Sequence, residues 1–250
     1  ILVLVKSSLE HNELRNIIRQ TWGSIRNVSG VQVRTAFLIG MTSNSTLLRD
    51  VTNETRTFGD VILGSYYDTY KNLTVKALMG LKWNHLYCSR SSFFLLADDD
   101  AFINLRKIAQ DYAIVRSPKS NEIQCGHILA RHVLRRGKWA VSPEIYDLPY
   151  YPPYCWGPCF IMSKDVAEKI YLTSCHTHSD FAIDDVFVSG VLREKFFIHC
   201  YLNKCVWFMN GKRYYSICMY LYIKTVKRFT PVYLLLRIWS IQSTVYTVQY

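Results

Sequence analysis

What this sequence lacks removes several classes of protein at once. It has no run of about 18 uncharged apolar residues, the length that a membrane-crossing helix needs, and its late apolar stretch Val232 to Ile238 is short and carries Arg237. Ile1 opens no signal peptide, because ILVLVK has no basic n-region and reads instead as a first buried strand. A membrane anchor, if the protein has one, is expected outside these residues. There is no paired C-x-x-C spacing among the eight cysteines, which argues against a thiolate zinc site. Internal repeats and low-complexity tracts are missing too. Acidic residues are scarce, 19 against 30 Lys and Arg, so the formal charge is +11 and calls for an anionic partner or surface. Nucleic acid is not the expected one, since no helix-turn-helix, zinc-finger or RNA-recognition signature occurs. A nucleotide diphosphate, an acidic glycan or an anionic membrane fits the charge equally well.

What is present points to an oxidising lumen and an α/β fold. Four N-x-[ST] sequons, at Asn27, Asn44, Asn53 and Asn72, lie in the first third of the chain. Together with the cysteines they favour the secretory pathway. Apolar β-rich runs at Ile1 to Val5, Val31 to Ile39, Val61 to Leu63 and Phe93 to Ala97 alternate with helical segments at Asn12 to Trp22, Thr46 to Thr57 and Thr69 to Trp83. That alternation predicts βαβ units around a largely parallel sheet in one domain. From Arg131 the texture changes, as the basic RHVLRRGKW leads into the Pro- and Tyr-rich PEIYDLPYYPPYCWGPCF, a shaped loop. Ser163 is a candidate N-cap for a helix from Lys164 to about Tyr171. In DFAIDDVFVSGVLRE, helical spacing puts Ile183, Val186, Phe187 and Leu192 on an inward face, with Asp184 and Asp185 in the first turn.

The segment FFLLADDDAFI carries the strongest chemical signal. Phe93 to Ala97 reads as a strand buried on both faces, and Asp98, Asp99 and Asp100 emerge at its carboxyl end, the edge where open α/β sheets bind ligands. Three adjacent carboxylates repel one another, so something positive is expected beside them. A solvated acidic turn is the plain reading. The sharper one is an oxygen-ligand site for a hard divalent cation whose remaining ligands come from substrate phosphates.

Seven stretches in order resemble glycosyltransferase family 31, the β-1,3-galactosyltransferase family: RNIIRQTWG, AFLIG, FGDVILGSYYDTYKNLTVK, LADDDAFIN, KWAVS, YYPPYCWGPCFIMS and IDDVFVSG. The resemblance implies a GT-A type, Rossmann-like nucleotide-sugar-binding fold with a mostly parallel central sheet and helices on both faces. It implies one catalytic domain over 1–250, with a nucleotide-sugar half at 1–115 and an acceptor and catalytic-base half at 116–250. It also implies a lumenal enzyme anchored in the Golgi membrane, with a UDP-sugar donor and a glycan acceptor on glycoprotein or glycolipid. The expected reaction moves a hexose, galactose or an N-acetylhexosamine, in β-1,3 linkage with inversion, and the expected cofactor is Mn2+ or another divalent cation.

Residue by residue, the resemblance gives Asp98 and Asp100 as metal candidates, Asp98 and Asp99 as nucleotide contacts, and Asp185 as the base that takes the acceptor's proton. Asp184 stands where the family has Glu. Arg15 and Arg19 share a helix face and are candidates for phosphate contact, Lys76 is a candidate for the nucleotide pocket, and Trp22 is read as core. Two departures weigh against activity. Cys159 stands where the family keeps a glycine, which predicts a narrowed sugar pocket. Lys227 stands where the family has a late His, and a charged ammonium offers a metal no lone pair, although it can neutralise diphosphate. They sustain a competing reading, a weak or inactive family member that binds a sugar or a partner.

Overall fold

A computed structural model describes residues 1–111, 120–177 and 180–202, with strand segments Val206–Met209, Lys212–Tyr215 and Cys218–Tyr220. Its centre is a seven-stranded sheet built from β1 (Leu2–Lys6), β2 (Arg34–Met41), β3 (Val61–Tyr67), β4 (Phe93–Asp98), β5 (Glu122–Cys125), β6 (Cys159–Ser163) and β7 (His199–Leu202). The spatial order is β7-β5-β6-β4-β1-β2-β3. β1 pairs in parallel with both β2 and β4, β2 with β3, and β5 with β7, while β6 runs antiparallel between β4 and β5. The sheet is therefore mostly parallel, as the alternation of strand and helix predicts.

Helices cover both faces, which is why the strands are apolar throughout. They are α1 (Asn12–Gln20), α2 (Ser45–Phe58), α3 (Leu73–Tyr87), the short α4 (Leu105–Ala109), α5 (Lys164–Ser174) and α6 (Asp184–Val186), which continues as a π-helical turn over Phe187–Leu192. Strand side chains alternate between faces. Leu2, Leu4, Phe94 and Leu96 pack in one core with residues of α3, α5 and the π turn, whereas Val3, Val5, Leu95 and Ala97 pack in the other with Ile17 and Ile18 of α1. Trp22 is 1% exposed and belongs to that second core.

Local chemistry sets several element ends. The Asn44 side chain caps α2 by accepting from the backbone N–H groups of Thr46 and Leu47, and Gly59 ends the helix with φ +63°. Ser163 does precede α5, but it makes no cap bond. Its hydroxyl accepts instead from the Glu122 N–H at 3.3 Å, tying β6 to β5. The helix expected from Thr69 begins as a 3₁₀ turn, Tyr70–Asn72, and becomes regular only at Leu73.

The Pro- and Tyr-rich segment is a shaped loop, as its composition predicts. Val133 N–H donates to Pro149 O at 2.9 Å and Tyr151 N–H to Arg131 O at 3.0 Å, closing its base. The Arg135 guanidinium then donates to the carbonyls of Val141 and Tyr146, at 2.8 and 2.7 Å, and gathers the loop around itself. A disulfide joins Cys125 to Cys155 across the loop's two ends.

Candidate active site

Two strand ends and one helix start meet at the carboxyl edge of the sheet. Lys6 ends β1, Asp98 ends β4, and the parallel register sets them side by side. By alternation both point to the face where α6 begins. Lys6 Nζ lies 2.7 Å from Asp98 Oδ1 and 2.5 Å from Asp184 Oδ2. This is the positive charge that the acidic triplet calls for. Burial works against the ammonium, but the charges of Asp184 and Asp98 outweigh it and hold the Lys6 pKa above its ordinary value. One cation among several carboxylates leaves a surplus of negative charge. Burial and that surplus, from Asp184 and Asp100, push Asp98 up to about 7 against the pull of Lys6.

Asp185 follows on the next helical position. Its Oδ2 accepts from the Gly157 N–H at 2.9 Å and its Oδ1 from the Val186 N–H at 2.8 Å. Gly157 has φ +54°, a left-handed turn that suits glycine and aims its N–H at the carboxylate. Ser189 locks the two pieces together by donating to Asp185 O at 2.6 Å and accepting from Cys155 N–H at 2.9 Å. Burial first, and the charge of Asp184 second, push the Asp185 carboxyl up to about 6.

Asp98, Asp184 and Asp185 all open on a cavity of about 720 Å³. Three tyrosines line the cavity with Asp185. The phenols of Tyr70, Tyr151 and Tyr154 are raised, mainly by burial, and each also feels the charge of Asp185. The mouth carries Arg131, His132, Lys138 and the indoles of Trp139 and Trp156. Such a site has a basic carboxylate fixed in place, a cluster of hard oxygen ligands nearby, and aromatic surfaces for an apolar ring face.

The profile of the galactosyltransferase family matches residues 13–204. Beta-1,3-galactosyltransferase 1 of Mus musculus and of Homo sapiens are each 32% identical over 246 residues, which is 98% of this chain and 74% of theirs. Beta-1,3-galactosyltransferase 5 of Homo sapiens is 33% identical over 224 residues, 88% of this chain and 71% of its own. The chain belongs to the galactosyltransferase family, glycosyltransferase family 31. A solved 4-diphosphocytidyl-2C-methyl-D-erythritol synthase from Anaerococcus prevotii aligns over 81% of this chain and 86% of its own at 12% identity and TM-score 0.41, too weak a likeness to bear on function.

For this galactosyltransferase-family protein, the expected site residues divide into two groups. Asp98 and Asp185 line the cavity. Asp99 turns away, its Oδ2 2.8 Å from His11 Nδ1. The two arginines expected at phosphates are internal braces instead. Arg15 is fully buried and grips Glu54 with two bonds, at 2.8 and 2.6 Å. Arg19 binds Glu54 at 2.7 Å and Asp60 at 2.7 and 2.8 Å, with Phe58 under its guanidinium. Lys76, expected in the nucleotide pocket, is buried on Asp68 at 2.7 Å and also donates to Ser7 O. Cys159 does not narrow the pocket. It sits in β6 facing the α1 side of the sheet, 2% exposed, and is disulfide-bonded. Lys227 lies outside the described residues.

A divalent cation fits the donor set in one respect. Asp98 shares the ammonium of Lys6 with Asp184, and the charge of Asp100 also pushes the Asp98 carboxyl up. Among the described residues, though, no three His, Cys, Asp or Glu side chains converge on one point, so substrate oxygens would have to complete the shell. Sequence reasoning missed Lys6, Tyr151, Tyr154 and the mouth. The signal for Lys6 was its place at the end of the apolar run ILVLVK, one strand away from the aspartates it neutralises.

Proposed function

We propose that this glycosyltransferase moves galactose, or an N-acetylhexosamine, from a UDP-sugar to a glycan hydroxyl in β-1,3 linkage with inversion. One observation carries the reading: Asp185 is held on the cavity by two backbone N–H groups and pushed up to about 6. It is ionised at neutral pH and still more basic than an ordinary carboxylate, as a general base should be. The acceptor hydroxyl gives its proton to the Asp185 carboxylate while its oxygen bonds to the anomeric carbon. The bond from that carbon to the diphosphate breaks, and its electron pair leaves with UDP. Attack from the face opposite the leaving group inverts the anomeric centre.

Lys6 keeps Asp98 and Asp184 together beneath this step. Asp98 and Asp100 would hold a divalent cation such as manganese, which would supply charge neutralisation for the leaving group. The names of the relatives support galactose and the β-1,3 linkage. The sequons and the Cys125–Cys155 disulfide support a lumenal placement.

The test is a screen of UDP-galactose and the two UDP-N-acetylhexosamines against a panel of glycan acceptors, with manganese and with EDTA. Product in β-1,3 linkage is expected, lost in EDTA and restored by manganese. Neither transfer nor UDP release with any donor would replace this reading with that of a sugar- or partner-binding family member.

A further inference from the structure

Resting on that reading, the mouth of the cavity carries a second message about the acceptor. In an inverting displacement the nucleophile and the leaving group lie on opposite sides of the anomeric carbon, so side chains grouped around the base face the acceptor. Arg131 is such a side chain, acting on the Tyr154 phenol that also feels Asp185. Lys138 is another. Its ammonium sits 4.5 Å above the ring of Tyr70 and 4.9 Å from that of Trp139, and the Tyr70 phenol in turn feels Asp184 and Asp185.

Neither cation has a carboxylate partner among the described residues, in contrast to Lys6, Arg15, Arg19 and Lys76, which are all paired. Both are exposed and line the cavity. Tyr151 also lines the cavity, as a residue only 6% exposed. Trp139 and Trp156, 43% and 42% exposed, offer flat surfaces to a sugar ring.

We propose that this mouth is an acceptor subsite for a sugar bearing an anionic group, a sulfate ester or a carboxylate, which Arg131 and Lys138 engage while the indoles of Trp139 and Trp156 take the sugar ring. A neutral sugar needs the aromatic surfaces, but it has no use for two cations that lack counter-charges. Arg131 suits a bidentate contact and Lys138 a point contact, and both contacts are charge-assisted.

The experiment is titration calorimetry of the protein with UDP present, using three matched oligosaccharides: a neutral N-acetyllactosamine, its 6-O-sulfated form, and the same unit extended by a glucuronate. Binding reads the subsite whether or not transfer occurs, so binding without turnover would support this proposal and count against the transferase reading. One of the charged forms is expected to bind about ten-fold or more tightly than the neutral one, with the preference shrinking as salt is raised. The double variant Arg131→Ala with Lys138→Ala should erase the preference while UDP affinity stays within about two-fold. Which charged form gains distinguishes sulfate from carboxylate. Equal affinity for all three sugars would overturn the proposal. So would a large loss of UDP affinity in the double variant, because it would assign the two cations to the diphosphate.

Discussion

Lys6 meets Asp98 at 2.7 Å and Asp184 at 2.5 Å, and its charge reaches one carboxylate further, to Asp185. Asp185 must be ionised to accept a proton, and it is pushed up to about 6, so kcat/KM should fall as pH drops through about 6 and level off above it. Lys6 lowers that carboxyl by its positive charge. In Lys6→Met the acid limb should therefore move upward, by about one pH unit, as expected for the loss of a neighbouring opposite charge. A pH–rate profile measures both. An acid limb that stays in place in a folded Lys6→Met protein would show that the ammonium does not tune the base.

Elements are held to one another by buried ion pairs that the sequence conceals. Glu54, on α2, takes Arg15 and Arg19 from α1, and their hydrogen bonds overcome its burial to hold its carboxyl down to about 2. Removing it strands a buried guanidinium, so Glu54→Ala should cost about 3–5 kcal/mol and lower Tm by on the order of 10 °C. Because the folded pKa lies below the ordinary value of 4.5, the stabilisation is present above pH 4.5 and is lost as pH falls toward 2. Thermal melts of the two proteins should therefore differ at pH 7 and converge in acid. A constant gap would place the Glu54 contribution in packing alone.

The same elements show what local sequence can and cannot reveal. Spacing tells that Arg15 and Arg19 share a face of α1, but what that face meets is decided 35 to 41 residues later, by Glu54 and Asp60. Lys76 and Asp68 pose the same problem across β3 and α3. Strands β1 to β4 and the position of the aspartate triplet were legible because apolar runs and strand ends are local properties, whereas β5, β6 and β7 were not read from the sequence. The direction of Cys159 was legible in principle, since alternation along CFIMS sends Cys159 and Ile161 to the face opposite Phe160 and Met162.

Across the whole molecule, the loop that carries Arg131, Lys138 and Trp139 to the cavity has its ends clamped by the Cys125–Cys155 disulfide. The Cys200 sulfur lies 3.7 Å from that of Cys155. In Cys125→Ser the freed Cys155 is therefore expected to pair with Cys200, giving a Cys155–Cys200 peptide on mass-spectrometric mapping under oxidising conditions, whereas an unpaired Cys155 there would mean that β7 and the loop do not hold the two sulfurs together. The central claim is that Asp185, on the wall of the cavity, takes the acceptor proton. The direct measurement is paired: UDP-sugar affinity and transfer rate in Asp185→Asn. With the amide in place, affinity should stay near that of the unaltered protein while transfer falls by about 10² to 10⁴. Transfer within a few-fold of the unaltered protein would contradict the account.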